Sequence, residues 1–285
     1  MRAPPAAGSG TFWARPTGGP PRRPARSTSA WPVYRSGSSN VRGLLSFFTV
    51  FPARAATLEE TARSVHLLPL VGLVAGLPGA ALALSGYLLP AGVAAALALG
   101  AVLLAAGLHH ADGLLDVGDA LMVRGSPARR REVLKDLRVG AGALAAAFLV
   151  YAPAVAALAS LVERSPISAA LALLAGEAAA RSAMLCLLSF GEAAERTSSA
   201  APFTAALKDR RRRHAGLALA LALPALVAIP SGAPAPILAL LWLPAAGLSL
   251  AVARRAFGGI GGDVCGASGE LARTLVLVGL SAGGA

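Results

Sequence analysis

Charge is what this chain has least of. Only 14% of its 285 residues are charged, against about 25% in soluble domains, which argues against a water-soluble globule. Acidic residues are scarcer still, 14 against 26 lysines and arginines. Aromatic residues make up 5% of the chain, and no aromatic-plus-basic platform of the kind that binds nucleic acid accompanies the net charge of +12. Nucleic acid is therefore not an expected partner. The two cysteines, Cys186 and Cys265, have no CxxC spacing, which excludes a disulfide framework and a cysteine-based zinc site. Residues 1–40 contain no acidic residue and no apolar run of signal-peptide length, so a secretory leader is excluded as well. No internal repeat is visible.

What is present is alanine, leucine and long apolar runs. Hydrophobic residues reach 55% and the mean hydropathy is +0.64. Alanine and leucine favour helix, so the composition predicts an all-α, polytopic integral membrane bundle of about six to seven transmembrane segments in a lipid bilayer. Two regions are expected. Residues 1–40, rich in Pro, Gly, Ser and Arg, read as a disordered basic extension, either an arm for anionic lipid or residues translated from an upstream start. Residues 41–285 read as the membrane-embedded domain. Apolar segments fall near 65–89, 91–111, 141–161, 167–190, 215–230, 236–253 and 271–283; the last is the weakest and is expected either to cross or to be re-entrant. The connections alternate. The N-terminal region, 124–138, 207–214 and 253–259 are basic, while the junction near Pro90, 162–168 and 230–236 are nearly uncharged. Two spans separate each basic connection from the next, so the positive-inside rule predicts one topology with every basic loop cytoplasmic.

The stretch "HHADGLLDVGDALMVRG" at 109–125 follows an apolar run. On a helix, Asp112, Asp116 and Asp119 project from one face within a sector of roughly 60°; His109 shares that face and His110 points nearly opposite. Three carboxylates side by side repel. They are relieved either by arginines nearby, such as Arg124, Arg129, Arg130 and Arg131, or by a divalent cation. Acids at a membrane boundary are functional by default, which favours a metal or a substrate over the arginines. Mg²⁺ suits all-oxygen ligation shared with substrate phosphates, and carboxylates at i, i+4 and i+7 suit transfer of a phosphoryl-type group.

A second stretch, "FGGIGGDVCGASGELAR" at 257–273, holds six glycines with Asp263 and Glu270. Glycine admits a phosphate close to the backbone, but Gly258, Gly262 and Gly266 also form a small-xxx-small series for helix packing. Asp263 among packed glycines needs a partner, and this favours a ligand. Two further pieces are candidates for the same site. "KDLRVGAG" at 135–142 places Asp136 and Arg138 before a glycine turn. "EAAARSAML" at 177–185 places Glu177 and Arg181 four apart in an apolar helix, either as an internal ion pair or with Arg181 clamping a phosphate.

These motifs, with "LSFFTVFP" at 45–52 and "ARSAM" at 180–184, resemble the cobalamin synthase family (adenosylcobinamide-GDP ribazoletransferases) in order and spacing from residue 41 to about 273. The resemblance implies site roles for His110, Asp112, Gly113, Asp116 and Asp119, for Asp136, Arg138 and Gly140, for Arg181, and for Gly258, Gly259, Gly262, Asp263, Gly266 and Glu270. It implies an Mg²⁺-dependent transferase joining adenosylcobinamide-GDP to α-ribazole or its 5′-phosphate, with release of GMP, at the cytoplasmic face of the bacterial inner membrane. Asp112, Asp116 and Asp119 would hold metal, Asp263 would be a further ligand or a general base, and Arg138 and Arg181 would clamp phosphate. Val50, Ala120, Gly261 and Arg273 depart from the family pattern, where Arg, Gly, Thr and an acid are usual, and "AAERTSSAAPF" at 193–203 lacks its Gly-Leu-Gly feature. Two rival classes fit the pattern less well. A phospholipid synthase with a CDP-linked donor would place Ala and Arg where Leu115 and Asp116 stand. A cation transporter using the acidic stripe would more often show acids near mid-span and repeated halves.

Overall fold

The computed structural model describes residues 41–51 and 57–283; the expectation of a disordered extension over 1–40 lies outside the described residues. The described chain is helical, with one isolated parallel bridge between Ala193 and Ile260. In chain order the helices are α1 (Val41–Phe48), α2 (Leu58–Ala62), α3 (Leu68–Ala83), α4 (Ala91–Ala105), α5 (His109–Met122), α6 (Pro127–Val133), α7 (Ala141–Arg164), α8 (Pro166–Phe190), α9 (Ala201–Ala206), α10 (Arg210–Ala228), α11 (Ala235–Leu238), α12 (Trp242–Val252) and α13 (Gly262–Ala282).

Six helical stretches among the described residues are long and apolar enough to cross a membrane: Val65–Tyr87, Ala141–Arg164, Pro166–Phe190, Arg210–Ser231, Ala235–Phe257 and Gly262–Ala282. These are the helices of a multi-pass membrane protein. Their ends follow local chemistry. Ser165 stops α7 and caps α8, accepting from the Ser168 N–H at 3.3 Å, with Pro166 in the first turn where no N–H is needed. Asp209 caps α10 by accepting from the N–H groups of Arg211 and Arg212.

Two boundaries differ from the sequence expectation. The apolar run at 91–111 is not one straight span: α4 stops at Ala105, and α5 leaves it bent by 94°. The last helix begins at Gly262 rather than near 271, so the glycine-rich stretch supplies its first turns.

Helix α8 is the axis of the bundle, with 17 of its residues buried from Ala169 to Leu188. In a membrane, lipid is as apolar as leucine, so helices are held by close packing of small residues rather than by a hydrophobic drive. The run "AGEAAARSA" at 175–183 provides such a surface. A Cβ on Gly72 of α3 would lie 2.3 Å from the Glu177 carbonyl oxygen, and one on Gly269 of α13 would lie 2.3 Å from Met184 Cε. The axis also carries charge. Arg181 pairs with Glu177 at 2.9 Å, Arg273 reaches the other Glu177 oxygen at 3.0 Å, and Arg273 also pairs with Glu270. All four side chains are buried, two of each sign, so the quartet is neutral.

Candidate functional site

The site is built on the break between α4 and α5. Gly107 (φ +68°) and Leu108 (φ +61°) both adopt left-handed backbone. The Gly107 N–H donates to Leu104 O at 2.9 Å and the Leu108 N–H to Leu103 O at 3.0 Å, the Schellman pattern that ends a helix on a glycine. A leucine with positive φ is uncommon and costs free energy; here it reaims the chain so that α5 starts afresh at His109. Glycines then bring α5 against two neighbours. A Cβ on Gly113 would lie 2.7 Å from the Asp263 carbonyl oxygen and 2.8 Å from its Cα, and one on Gly118 would lie 2.6 Å from the Gly142 oxygen. A Cβ on Gly266 would lie 3.0 Å from His110 Cα. Helix α5 is thus wedged between α13 and α7 with backbones in contact.

The consequence is electrostatic. Asp112 and Asp263 line one cavity and repel one another, and both, with Asp119, repel Asp116. Among the described residues none of these carboxylates has a lysine or arginine partner. Three of the nearby arginines are engaged elsewhere: Arg129 with Glu132 at 2.7 Å, Arg130 with the Val123 carbonyl at 3.1 Å, and Arg131 with Glu195 at 3.2 Å and the Phe257 carbonyl at 2.6 Å; among the described residues Arg124 forms no ion pair with these carboxylates. The alternative in which these arginines neutralise the stripe therefore does not describe this fold.

Asp119 stands apart. Its two oxygens accept the Gly140 N–H at 2.7 Å and the Ala143 N–H at 2.9 Å, so it caps α7 from the neighbouring helix. Gly140 is required there, since a Cβ would sit 2.6 Å from Asp119 Oδ1. Each Asp119 oxygen keeps lone-pair capacity beyond these bonds. Among the described residues no three His, Cys, Asp or Glu side chains converge as a ready-made metal cage. An all-carboxylate set on facing helices, mutually repelling and without cationic partners, still fits a hard divalent ion. Mg²⁺ normally takes only one or two carboxylates and fills its shell with phosphate oxygens and water.

Two chambers open on either side of Asp263. The larger, about 470 Å³, is lined by Phe47, Phe48, His109, His110, Asp112 and Phe203, with Met184, Leu188 and Cys265 behind them. The smaller, about 270 Å³, is lined by Arg131, Lys135, Glu195, Phe257, Gly259 and Gly261. Ser199, Gly262 and Asp263 belong to both. Their walls come from α1, the start of α5, the C-terminal end of α8, α9 and the start of α13, with α6 and the loops beside them, on the side where the arginine-rich connections lie.

The other expected site residues distribute unevenly. His110 points away from the Asp stripe along α5 yet lines the larger chamber, because α13 and α1 pack over that face: Gly266 lies against its backbone, and its buried ring stacks on Phe48, centroids 6.1 Å apart. Gly258 and Gly259 form the left-handed turn before α13, at φ +72° and +156°. Gly259 presses on Ala194, Gly262 faces Ser199, and Gly266 packs on His110, so this stretch serves both packing and cavity lining. Asp136 and Arg138 pair with each other at 2.8 Å on the exposed α6–α7 loop, outside both chambers. The guanidinium of Arg138 holds the Asp136 carboxyl down to about 2. Arg181 and Glu270 are buried in the charge quartet and line neither chamber. Sequence reasoning did not find Phe47, Phe48, Phe203, Ser199, Lys135 or Glu195 as lining residues. Only the aromatic pair in "SFFT" at 46–49 carried a signal, being two of eight phenylalanines in the chain.

A family model described as cobalamin-5-phosphate synthase matches residues 40–281. A protein of Pyrobaculum calidifontis named adenosylcobinamide-GDP ribazoletransferase is 38% identical over 241 residues, covering 84% of this chain and 97% of its own. Proteins of the same name from Halorubrum lacusprofundi, 34% identical over 83% of this chain and 94% of theirs, and from Azorhizobium caulinodans, 33% identical over 85% and 95%, are also similar. No solved structure matches.

Proposed function

The chain belongs to the cobalamin-5-phosphate synthase family and is an enzyme of cobalamin assembly, and from that premise we propose that it joins adenosylcobinamide-GDP to α-ribazole, or to its 5′-phosphate, releasing GMP. The observation that carries this reading is the pair of facing carboxylates, Asp112 and Asp263, held across one chamber by glycine contacts and without a cationic partner among the described residues. A diphosphate donor accompanied by a divalent ion supplies the charge they lack.

Asp112 and Asp116, one turn apart on α5, would hold Mg²⁺ together with the donor's phosphate oxygens, and Asp119, which anchors α7, would be a further oxygen ligand. When bound, Mg²⁺ neutralises charge building on the bridging oxygen of the diphosphate. Asp263, shared by both chambers, takes the proton from a ribose hydroxyl of the acceptor. That hydroxyl oxygen forms a bond to the corrinoid-side phosphorus, the phosphorus–oxygen bond to GMP breaks, and GMP leaves with the electron pair. Arg131 and Lys135 line the chamber through which the phosphates approach, and Gly259, Gly261 and Gly262 leave room for them at the start of α13. Arg138, paired with Asp136 on its exposed loop, and Arg181, buried in the charge quartet, lie outside both chambers. The positive-inside rule puts these chambers on the cytoplasmic face of the cell membrane.

The test is direct. The protein in proteoliposomes is incubated with adenosylcobinamide-GDP, α-ribazole and Mg²⁺. Expected is GMP equimolar with the complete corrinoid, abolished by chelator; absence of GMP with both substrates and Mg²⁺ present refutes the assignment.

A further inference from the structure

The two chambers differ in kind, and we infer that the larger is the acceptor's pocket, its phenylalanines receiving the flat heteroaromatic base of the nucleoside while the smaller one admits the donor's phosphates. This rests on the reaction proposed above. Phe47, Phe48 and Phe203 form one aromatic cluster, with ring centroids 4.9 Å apart for Phe47–Phe48, 5.4 Å for Phe47–Phe203 and 5.8 Å for Phe48–Phe203. Phe48 and Phe203 are buried as its floor, and Phe47 keeps 41% of its surface exposed. Aromatic faces and edges of this kind take planar rings by stacking or edge contact. His110 stacks on Phe48 in the same wall, is buried, and its Nδ1 has no hydrogen-bond partner among the described residues. It is free to bond a ring nitrogen or a ribose hydroxyl.

Charge separates the ligands. Among the described residues the acidic side chains lining the aromatic chamber are Asp112 and Asp263, and no lysine or arginine lines it. The aromatic end of this chamber suits a neutral nucleoside, and the donor's phosphates reach Asp112 only with the Mg²⁺ they share. The smaller chamber instead has Arg131 and Lys135 in its lining, both paired with Glu195, an excess of one positive charge among these three. A base seated on Phe47 and Phe203 directs its ribose toward Asp263, the group common to both chambers.

The experiment measures KM for α-ribazole and for adenosylcobinamide-GDP separately in wild type, Phe47→Leu and Phe47→Ala. It also measures α-ribazole affinity without donor, from the fluorescence of its benzimidazole. Phe47 is half exposed, so its variants keep the wild-type thermal midpoint; Phe203→Leu is the second variant, used with that midpoint as a control. Stacking of a base is worth enough that its loss weakens binding severalfold or more. Expected is a rise of about tenfold in KM and Kd for α-ribazole in Phe47→Ala, a smaller rise in Phe47→Leu, and a donor KM that stays within twofold. Unchanged α-ribazole affinity, or a rise confined to the donor, overturns the inference while the reaction stands. If wild type neither binds α-ribazole nor releases GMP, the reaction itself fails.

Discussion

Replacing Gly113 by alanine adds one methyl group and changes no charge, yet it should disable the enzyme. The new Cβ would stand 2.7 Å from Asp263 O, 2.8 Å from Asp263 Cα and 3.1 Å from Asp263 C, all backbone atoms. Ordinary contact begins near 3.4 Å, so α5 and α13 must separate by about 0.7 Å, the difference between 3.4 and 2.7. A side chain could swing away, but two helix backbones cannot. Overpacking of this size costs about 1–3 kcal/mol of stability. The larger effect falls on chemistry, because Asp263 moves against Asp112 and Asp116, and a misplacement of about 1 Å costs about 100-fold in rate. The assay is kcat for GMP release together with the thermal midpoint in micelles. Gly100→Ala is the control: nothing lies within 4 Å of a Cβ there, and alanine in a helix is better than glycine by about 0.5–1 kcal/mol, so activity and midpoint should hold or improve. Wild-type kcat in Gly113→Ala would refute the view that the α5–α13 contact sets the geometry of the carboxylates.

Arg273→Leu strands Glu177 and Glu270 in the bundle with one cation between them. Breaking a buried pair costs about 3–5 kcal/mol, so the thermal midpoint should collapse, and the double variant Arg273→Leu/Glu270→Leu should recover most of it. Asp136, held down to about 2 by Arg138, contributes whatever stability it has above its unfolded value of 3.8 and loses it only as pH falls through 2; Asp136→Asn should therefore leave the acid limb of the activity above pH ~4 unmoved. A cysteine replacing Ala128, exposed on α6, should react with an impermeant maleimide only from the cytoplasmic side, and labelling from outside would reverse the topology.

Hydropathy alone located α7 and α8, because their apolar runs end at charged or proline-marked turns that also cap them. The α4–α5 break was not legible, since "AAGLHHADG" at 105–113 contains no proline and only one of its two left-handed residues, Gly107, is a glycine, the other being Leu108. The start of α13 was hidden for a different reason: its first turns are glycine-rich and carry Asp263 and Glu270, so they lack the apolar run that marks a span, although Gly266 and Gly269 let His110 and Met184 press against the helix. The Asp stripe was visible from its spacing, but the partition of its roles was not. Asp119 finds backbone N–H groups 21 and 24 residues away. Arg181 resembled a phosphate clamp by residue type, whereas Arg273, 96 residues from Glu177, closes a neutral quartet that leaves Arg181 inside the protein. The aromatic chamber joins α1 to α9 and α5 across the chain, and no local pattern announces such a contact.

Divalent-ion binding on the α5 carboxylates can be measured without turnover. Mn²⁺, standing in for Mg²⁺, is titrated by paramagnetic resonance into the protein with adenosylcobinamide-GDP and no acceptor. Wild type should take up one or two ions tightly and only with the donor present, and Asp112→Asn and Asp116→Asn should lose that uptake while keeping the wild-type thermal midpoint. Equal Mn²⁺ uptake in wild type and in both variants would contradict the site.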